Sequence, residues 1–114
     1  MTIAGFDPSS GAGATADIKT IAAHGCYGVA ALTALTVQST SGVRRTQMID
    51  VALLRETLEE LNQDSKISAV HIGMLGTAAI AIAVADFLLS AQSPCVVVDT
   101  IIRSSSGATL LDNA

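Results

Sequence analysis

Aromatic side chains are scarce in this chain of 114 residues: Phe6, Tyr27 and Phe87, with no Trp, make up 3% of it. Few rings are left to stack on bases. Six Lys and Arg against ten Asp and Glu give a formal net charge of −4, so nucleic acid is not expected as a partner. Charge is thin as well, at 14%, while half the residues are apolar and the mean hydropathy is +0.55. That is the reverse of what intrinsic disorder requires. Cysteine occurs only at Cys26 and Cys95, with no Cys-x-x-Cys pair. There is no charged-then-apolar leader, and no apolar run of the roughly 18 residues that a membrane span needs. The absences together read as one soluble domain or a piece of one, residues 1–114, cytoplasmic and without a membrane. Both cysteines adjoin apolar runs and are expected as small core residues.

Apolar runs alternate with helical patterns. Met1 to Phe6 reads as a buried strand that stops at the turn residues Asp7-Pro8-Ser9-Ser10-Gly11. Residues 12–24 carry Ala14, Ile18, Ile21 and Ala22 at helical spacing and end before Gly25. Tyr27 to Val37, rich in Val, Leu and Thr, is a buried strand, and Val43 to Ile49 alternates as an edge strand does. Asp50 is placed to cap a helix whose Val51, Leu54, Leu58 and Leu61 share one face. Ala69 to Met74 is a strand, Thr77 caps an Ala- and Ile-rich helix to about Ala91, and Cys95 to Val98 is a strand expected to be buried on both faces. The class is α/β, a mostly parallel sheet with helices on both faces and right-handed crossovers. Residues 107–112 look like the start of another element, with Leu110 and Leu111 needing burial. The chain therefore reads as truncated.

In such sheets ligands bind beyond the carboxyl ends of the strands. Gly11-Ala12-Gly13-Ala14-Thr15-Ala16 fits G-x-G-x-x-A, but Asp7 to Ser10 separates it from the strand, and residues 28–37 hold no acid to bind a ribose. A dinucleotide site is therefore disfavoured against glycines that form a tight turn. Neither Lys19 nor Lys66 stands in a Gly-Lys-Ser/Thr loop, so phosphate chemistry here is not of the P-loop kind. Asp7 and Asp17 flank the turn, as functional carboxylates or as solvated ones. Gln38 ends an apolar strand and can both donate and accept, either to a heterocycle edge or to water. His24 reads as a helix-end charge partner and His71 as a strand residue, neither with a Cys or carboxylate at zinc-ligand spacing.

Thr2-Ile3-Ala4-Gly5-Phe6-Asp7-Pro8-Ser9-Ser10-Gly11-Ala12-Gly13, Ala16-Asp17-Ile18-Lys19-Thr20, Thr33-Ala34-Leu35-Thr36-Val37-Gln38-Ser39-Thr40 and Ile72-Gly73-Met74-Leu75 occur in this order. Together they closely resemble the hydroxymethylpyrimidine/phosphomethylpyrimidine kinase family of thiamine biosynthesis, which has the ribokinase-like three-layer fold. The resemblance implies the N-terminal, acceptor-substrate half of such a domain. It implies transfer of the ATP γ-phosphate to 4-amino-5-hydroxymethyl-2-methylpyrimidine and then to its monophosphate, with ATP and Mg as cofactors.

Carried over residue by residue, Gly5, Asp7, Gly11, Ala12 and Asp17 surround the hydroxymethyl group, Gln38 pairs with the aminopyrimidine edge and Met74 packs near the ring. Asp99 lies near the Mg-ATP phosphates and is the one metal-ligand candidate. Two departures stand at that last segment. Asp99-Thr100-Ile101-Ile102 replaces the family's Asp-Pro-Val, and Ser replaces a Lys before the Ser106-Gly107 pair. The family's Gly-rich anion hole and catalytic base belong to its later half, so no catalytic base is expected here. The fragment is expected to be inactive alone, to work with a complementing C-terminal half or to form a homo-oligomer through residues 27–49. A non-catalytic half-domain that binds a pyrimidine or a partner protein is the alternative.

Overall fold

A computed structural model describes residues 1–92 and 95–111. The order among them is β1 (Thr2–Phe6), α1 (Gly13–Ala23), β2 (Ala30–Ser39), β3 (Gly42–Met48), α2 (Val51–Asp64), β4 (Val70–Ile72), α3 (Ala78–Ala91) and β5 (Val96–Val98). They build one sheet in the order β3-β2-β1-β4-β5. β1 pairs in parallel with β2 and β4, and β4 with β5, while β3 runs antiparallel to β2. The sheet is mostly parallel, as expected.

The chain moves outward from β1 to β2 and β3, then returns past β1 to β4 and β5. Crossovers of one hand that travel in opposite directions place their helices on opposite faces. Residue alternation along β1 shows both faces. Ile3 belongs to the buried cluster with Leu54 and Leu58 of α2 and Ile80, Val84 and Phe87 of α3. Its neighbour Thr2 instead bonds Asp17 of α1. Three layers result, with the filled core between the sheet and the α2–α3 pair, where each fully buried large aliphatic side chain is worth about 1.5–3 kcal/mol.

Helix starts follow local chemistry. The Asp50 carboxylate accepts from Ala52 N at 2.9 Å and Leu53 N at 3.1 Å, and the Thr77 hydroxyl accepts from Ile80 N at 3.3 Å. α1 has no side-chain cap of this kind at Ala12.

Four expectations need correction. β2 starts at Ala30, leaving Tyr27 91% exposed, and runs on to Ser39 because β3 pairs with it across the turn at Thr40-Ser41, Gln38 opposite Val43. Gln38 is therefore a strand residue. Cys26 and Cys95 are exposed. Each lies just outside an element, where apolar sequence neighbours do not ensure cover. All three residues of β5 are exposed, since β5 is the sheet's edge and no described element packs over it. Finally, residues 101–111 turn back on themselves through an Arg103–Thr109 bridge and a Leu110 N to Ile102 O bond of 2.9 Å, so that Leu110 and Leu111 are half-buried. Asp112, part of the element expected at 107–112, lies outside the described residues.

Candidate functional site

The direction of winding reverses beside β1, and a cavity of about 340 Å³ opens there at the carboxyl ends of β1 and β4. Gly5, Asp7, Ala12, Asp17, Gln38, Met74 and Asp99 all line it. Of the eight residues that the resemblance assigns to the site, Gly11 alone does not line it. Its N–H instead donates to Asp7 Oδ2 at 3.1 Å.

Asp7 organises the loop after β1. The residue is only 3% exposed, and its carboxylate receives four hydrogen bonds. Oδ1 accepts from Ser9 N at 2.8 Å and Ser9 Oγ at 2.7 Å, and Oδ2 accepts from Gly11 N and, at 2.9 Å, from Ala12 N. Burial raises the carboxyl's pKa, but the Ser9 bonds, then those of Ala12 and Gly11, outweigh it, and the pKa falls below 3.8. The side chain is thus charged and committed to its own loop, which it presents to the cavity. An Asp followed two residues on by Ser carried this signal in the sequence, because it is the pattern of an Asx turn.

The loop's tightest point is Gly13 rather than Gly11. Gly13 has φ of +60° and bridges Phe6, and a Cβ there would collide with the Gly5 carbonyl oxygen. At Gly11 an added Cβ would meet Asp7 Oδ2 at 3.5 Å, an ordinary contact. Gly5 leaves room for Met74, whose Cε lies 2.9 Å from where a Cβ would stand. Met74 is buried, and its carbonyl accepts from the buried Thr33 hydroxyl at 2.6 Å.

On the other wall the Thr36 hydroxyl lies 2.8 Å from Phe6 O and 3.1 Å from Gln38 Oε1. A hydroxyl has one proton, and the Phe6 carbonyl can only accept it. The second contact is satisfied when the Gln38 amide turns its NH₂ to Thr36, which leaves the amide carbonyl oxygen free for a ligand's donor.

His71 and Thr2, absent from the sequence-based site, gather around Asp17. Thr2 Oγ1 lies 2.6 Å from Asp17 Oδ2, and His71 Nδ1 lies 3.3 Å from the same oxygen. No local spacing joins residues from β1, α1 and β4, so only the topology brings them together. Arg103, Ser104 and Ser105 close the far side beside Asp99. Asp99 is exposed and held by its backbone, with N–H to Ile72 O at 2.8 Å. Among the described residues no three His, Cys, Asp or Glu side chains cluster as a metal site.

The profile of the family described as phosphomethylpyrimidine kinase matches residues 7–114. The hydroxymethylpyrimidine/phosphomethylpyrimidine kinase of Aquifex aeolicus is 43% identical over 111 residues, 97% of this chain and 44% of that protein. The crystal structure of phosphomethylpyrimidine kinase from Clostridium difficile superposes with a TM-score of 0.91 at 37% identity, covering 98% of this chain and 48% of the other. A Staphylococcus aureus pyridoxal kinase in complex with AMP-PCP and pyridoxal gives a TM-score of 0.78 at 29% identity, over 92% of this chain and 40% of the other. The chain thus spans less than half the length of each.

Proposed function

Because the chain belongs to the phosphomethylpyrimidine kinase family, we propose that it forms the acceptor side of an ATP-dependent kinase for 4-amino-5-hydroxymethyl-2-methylpyrimidine and its monophosphate, in thiamine biosynthesis. The observation that carries this reading is the cavity beside β1, where Gln38, Asp17 and Met74 meet. An aminopyrimidine edge offers a donor beside an acceptor, and the Gln38 amide has the complementary pair. Its free carbonyl oxygen suits the exocyclic amine. Met74 supplies the apolar contact for the ring, and Asp17 a hydrogen-bond acceptor for the hydroxymethyl group.

In this chemistry the substrate's own hydroxyl attacks phosphorus, so the protein's task is to position it and to exclude water. Gly5, Asp7, Gly11 and Ala12 act through the loop, the carboxylate of Asp7 fixing the backbone that approaches the ligand. Relatives with an ATP analogue bound support ATP as phosphoryl donor. Mg²⁺ typically binds one or two carboxylates together with substrate phosphates and waters, which is what a lone Asp99 at the cavity rim can offer. When bound, the ion would offset phosphate charge.

Gln38→Leu keeps the side-chain size and removes both polar atoms. In the full chain it should weaken pyrimidine binding by about 1–3 kcal/mol, or roughly 5- to 150-fold, without altering stability. Calorimetric titration that finds the wild-type affinity in this variant removes the assignment. Residues 1–114 alone are expected to show no ATP turnover with the pyrimidine and to associate at rising concentration in light scattering. Turnover should appear on adding the C-terminal half of a relative; turnover without it would end the divided-site reading, and no turnover even with it would favour a non-catalytic binding module.

A further inference from the structure

Asp17, Thr2 and His71 form a polar cluster on the α1 face of the sheet, and its proton arrangement is constrained by acceptor geometry alone. Thr2 is fully buried, and its hydroxyl lies 2.6 Å from Asp17 Oδ2, so its single proton goes to the carboxylate. His71 Nδ1 then faces two oxygens that can only accept from it, Asp17 Oδ2 at 3.3 Å and Thr2 Oγ1 at 3.4 Å. A bare nitrogen lone pair there would point at two others. Nδ1 must therefore carry hydrogen. Both donors fall on the same carboxylate oxygen, while Asp17 and His71 both line the cavity.

We infer that Thr2 and His71 are positioning residues that hold Asp17 by Oδ2 and leave Oδ1 to accept a hydrogen bond from the hydroxyl of the acceptor substrate. The inference rests on the pyrimidine-alcohol reading of the cavity and adds a specificity device to it. A carboxylate pinned at one oxygen cannot rotate away, so a ligand carrying a hydroxyl is favoured over one carrying a methyl in the same place. His71 touches no reacting atom and acts only through Asp17.

The test compares 4-amino-5-hydroxymethyl-2-methylpyrimidine with 4-amino-2,5-dimethylpyrimidine, which lacks the hydroxyl, by titration into the full chain. His71→Leu and Thr2→Val should each lower affinity for the alcohol by about 5- to 20-fold and leave the methyl analogue within about twofold. His71→Asn places an amide N–H where Nδ1 stood and should restore most of the preference. Nitrogen NMR of the ligand-free protein should show His71 protonated at Nδ1. Equal loss for both ligands, no rescue by Asn, or a His71 protonated at Nε2 only would overturn the clamp. If the wild type binds neither pyrimidine, the functional reading fails on its own and the nitrogen spectrum alone decides the clamp.

Discussion

The two faces of the sheet are built from the same strands to opposite ends. Towards α2 and α3, β1 and β4 present Met1, Ile3, Val70 and Ile72 to a cluster of aliphatic side chains and Phe87. Towards α1 they present Thr2, Ala4 and His71, and α1 answers with Asp17. One-residue alternation is enough to separate a packed face from a polar one. The packed face has contact area to spare for stability; the polar face keeps hydrogen-bonding groups that must be arranged at some cost and are useful for that reason.

The comparison breaks most severely at Leu58, fully buried between α2 and the sheet. Leu58→Ala should cost about 2–5 kcal/mol of folding stability in urea, and in the folded fraction ligand affinity should be unchanged. On the polar side Gly13→Ala combines left-handed backbone with the collision at Gly5. About 1–3 kcal/mol from the backbone conformation alone is expected, plus the displacement of the loop, so both stability and binding should fall. A variant that loses stability but binds normally would separate loop from ligand.

Asp7→Asn sharpens the contrast further. It sets an amide NH₂ against N–H or O–H donors and should cost about 1–3 kcal/mol at neutral pH. Because the folded carboxyl titrates below 3.8, its contribution is complete above that value and is lost as the pH falls through the folded pKa. Urea midpoints of the wild type should therefore decline more steeply below about pH 4 than those of the variant. Parallel pH curves would mean that Asp7 is not the group responsible. Least affected should be Arg55→Ala, which removes the 2.8 Å pair with Asp86 between two exposed side chains on α2 and α3. A change under about 1 kcal/mol, shrinking further with salt, is expected there.

Features set by neighbours in sequence are legible in the sequence itself. Asp50 and Thr77 announce their helices because a cap acts over three residues. The turn after β1 is readable because Asp7 and the glycines that shape it stand close together in the chain. Gln38 stands out in the sequence as a polar residue after an apolar run, but its place within β2 depends on β3 returning to pair with it. The exposure of Cys26 and Cys95 depends on which element ends where, and the company of His71 on sheet order. Those are matters of topology, and periodicity does not contain them.

The central position of β1 has a consequence for the order in which this chain acquires its shape. β1 is made before its two neighbours in the sheet, and one of its hydrogen-bonded edges must wait for β4, whose His71 pairs with Thr2. At common translation rates of about 5–20 residues per second, the delay between those two residues is roughly 3–14 s. Until then a strand whose first four residues will be wholly buried has β2 as its only lasting neighbour within the sheet. Synonymous changes that slow synthesis between α2 and β4 should prolong that exposure and lower the soluble yield without altering one amino acid.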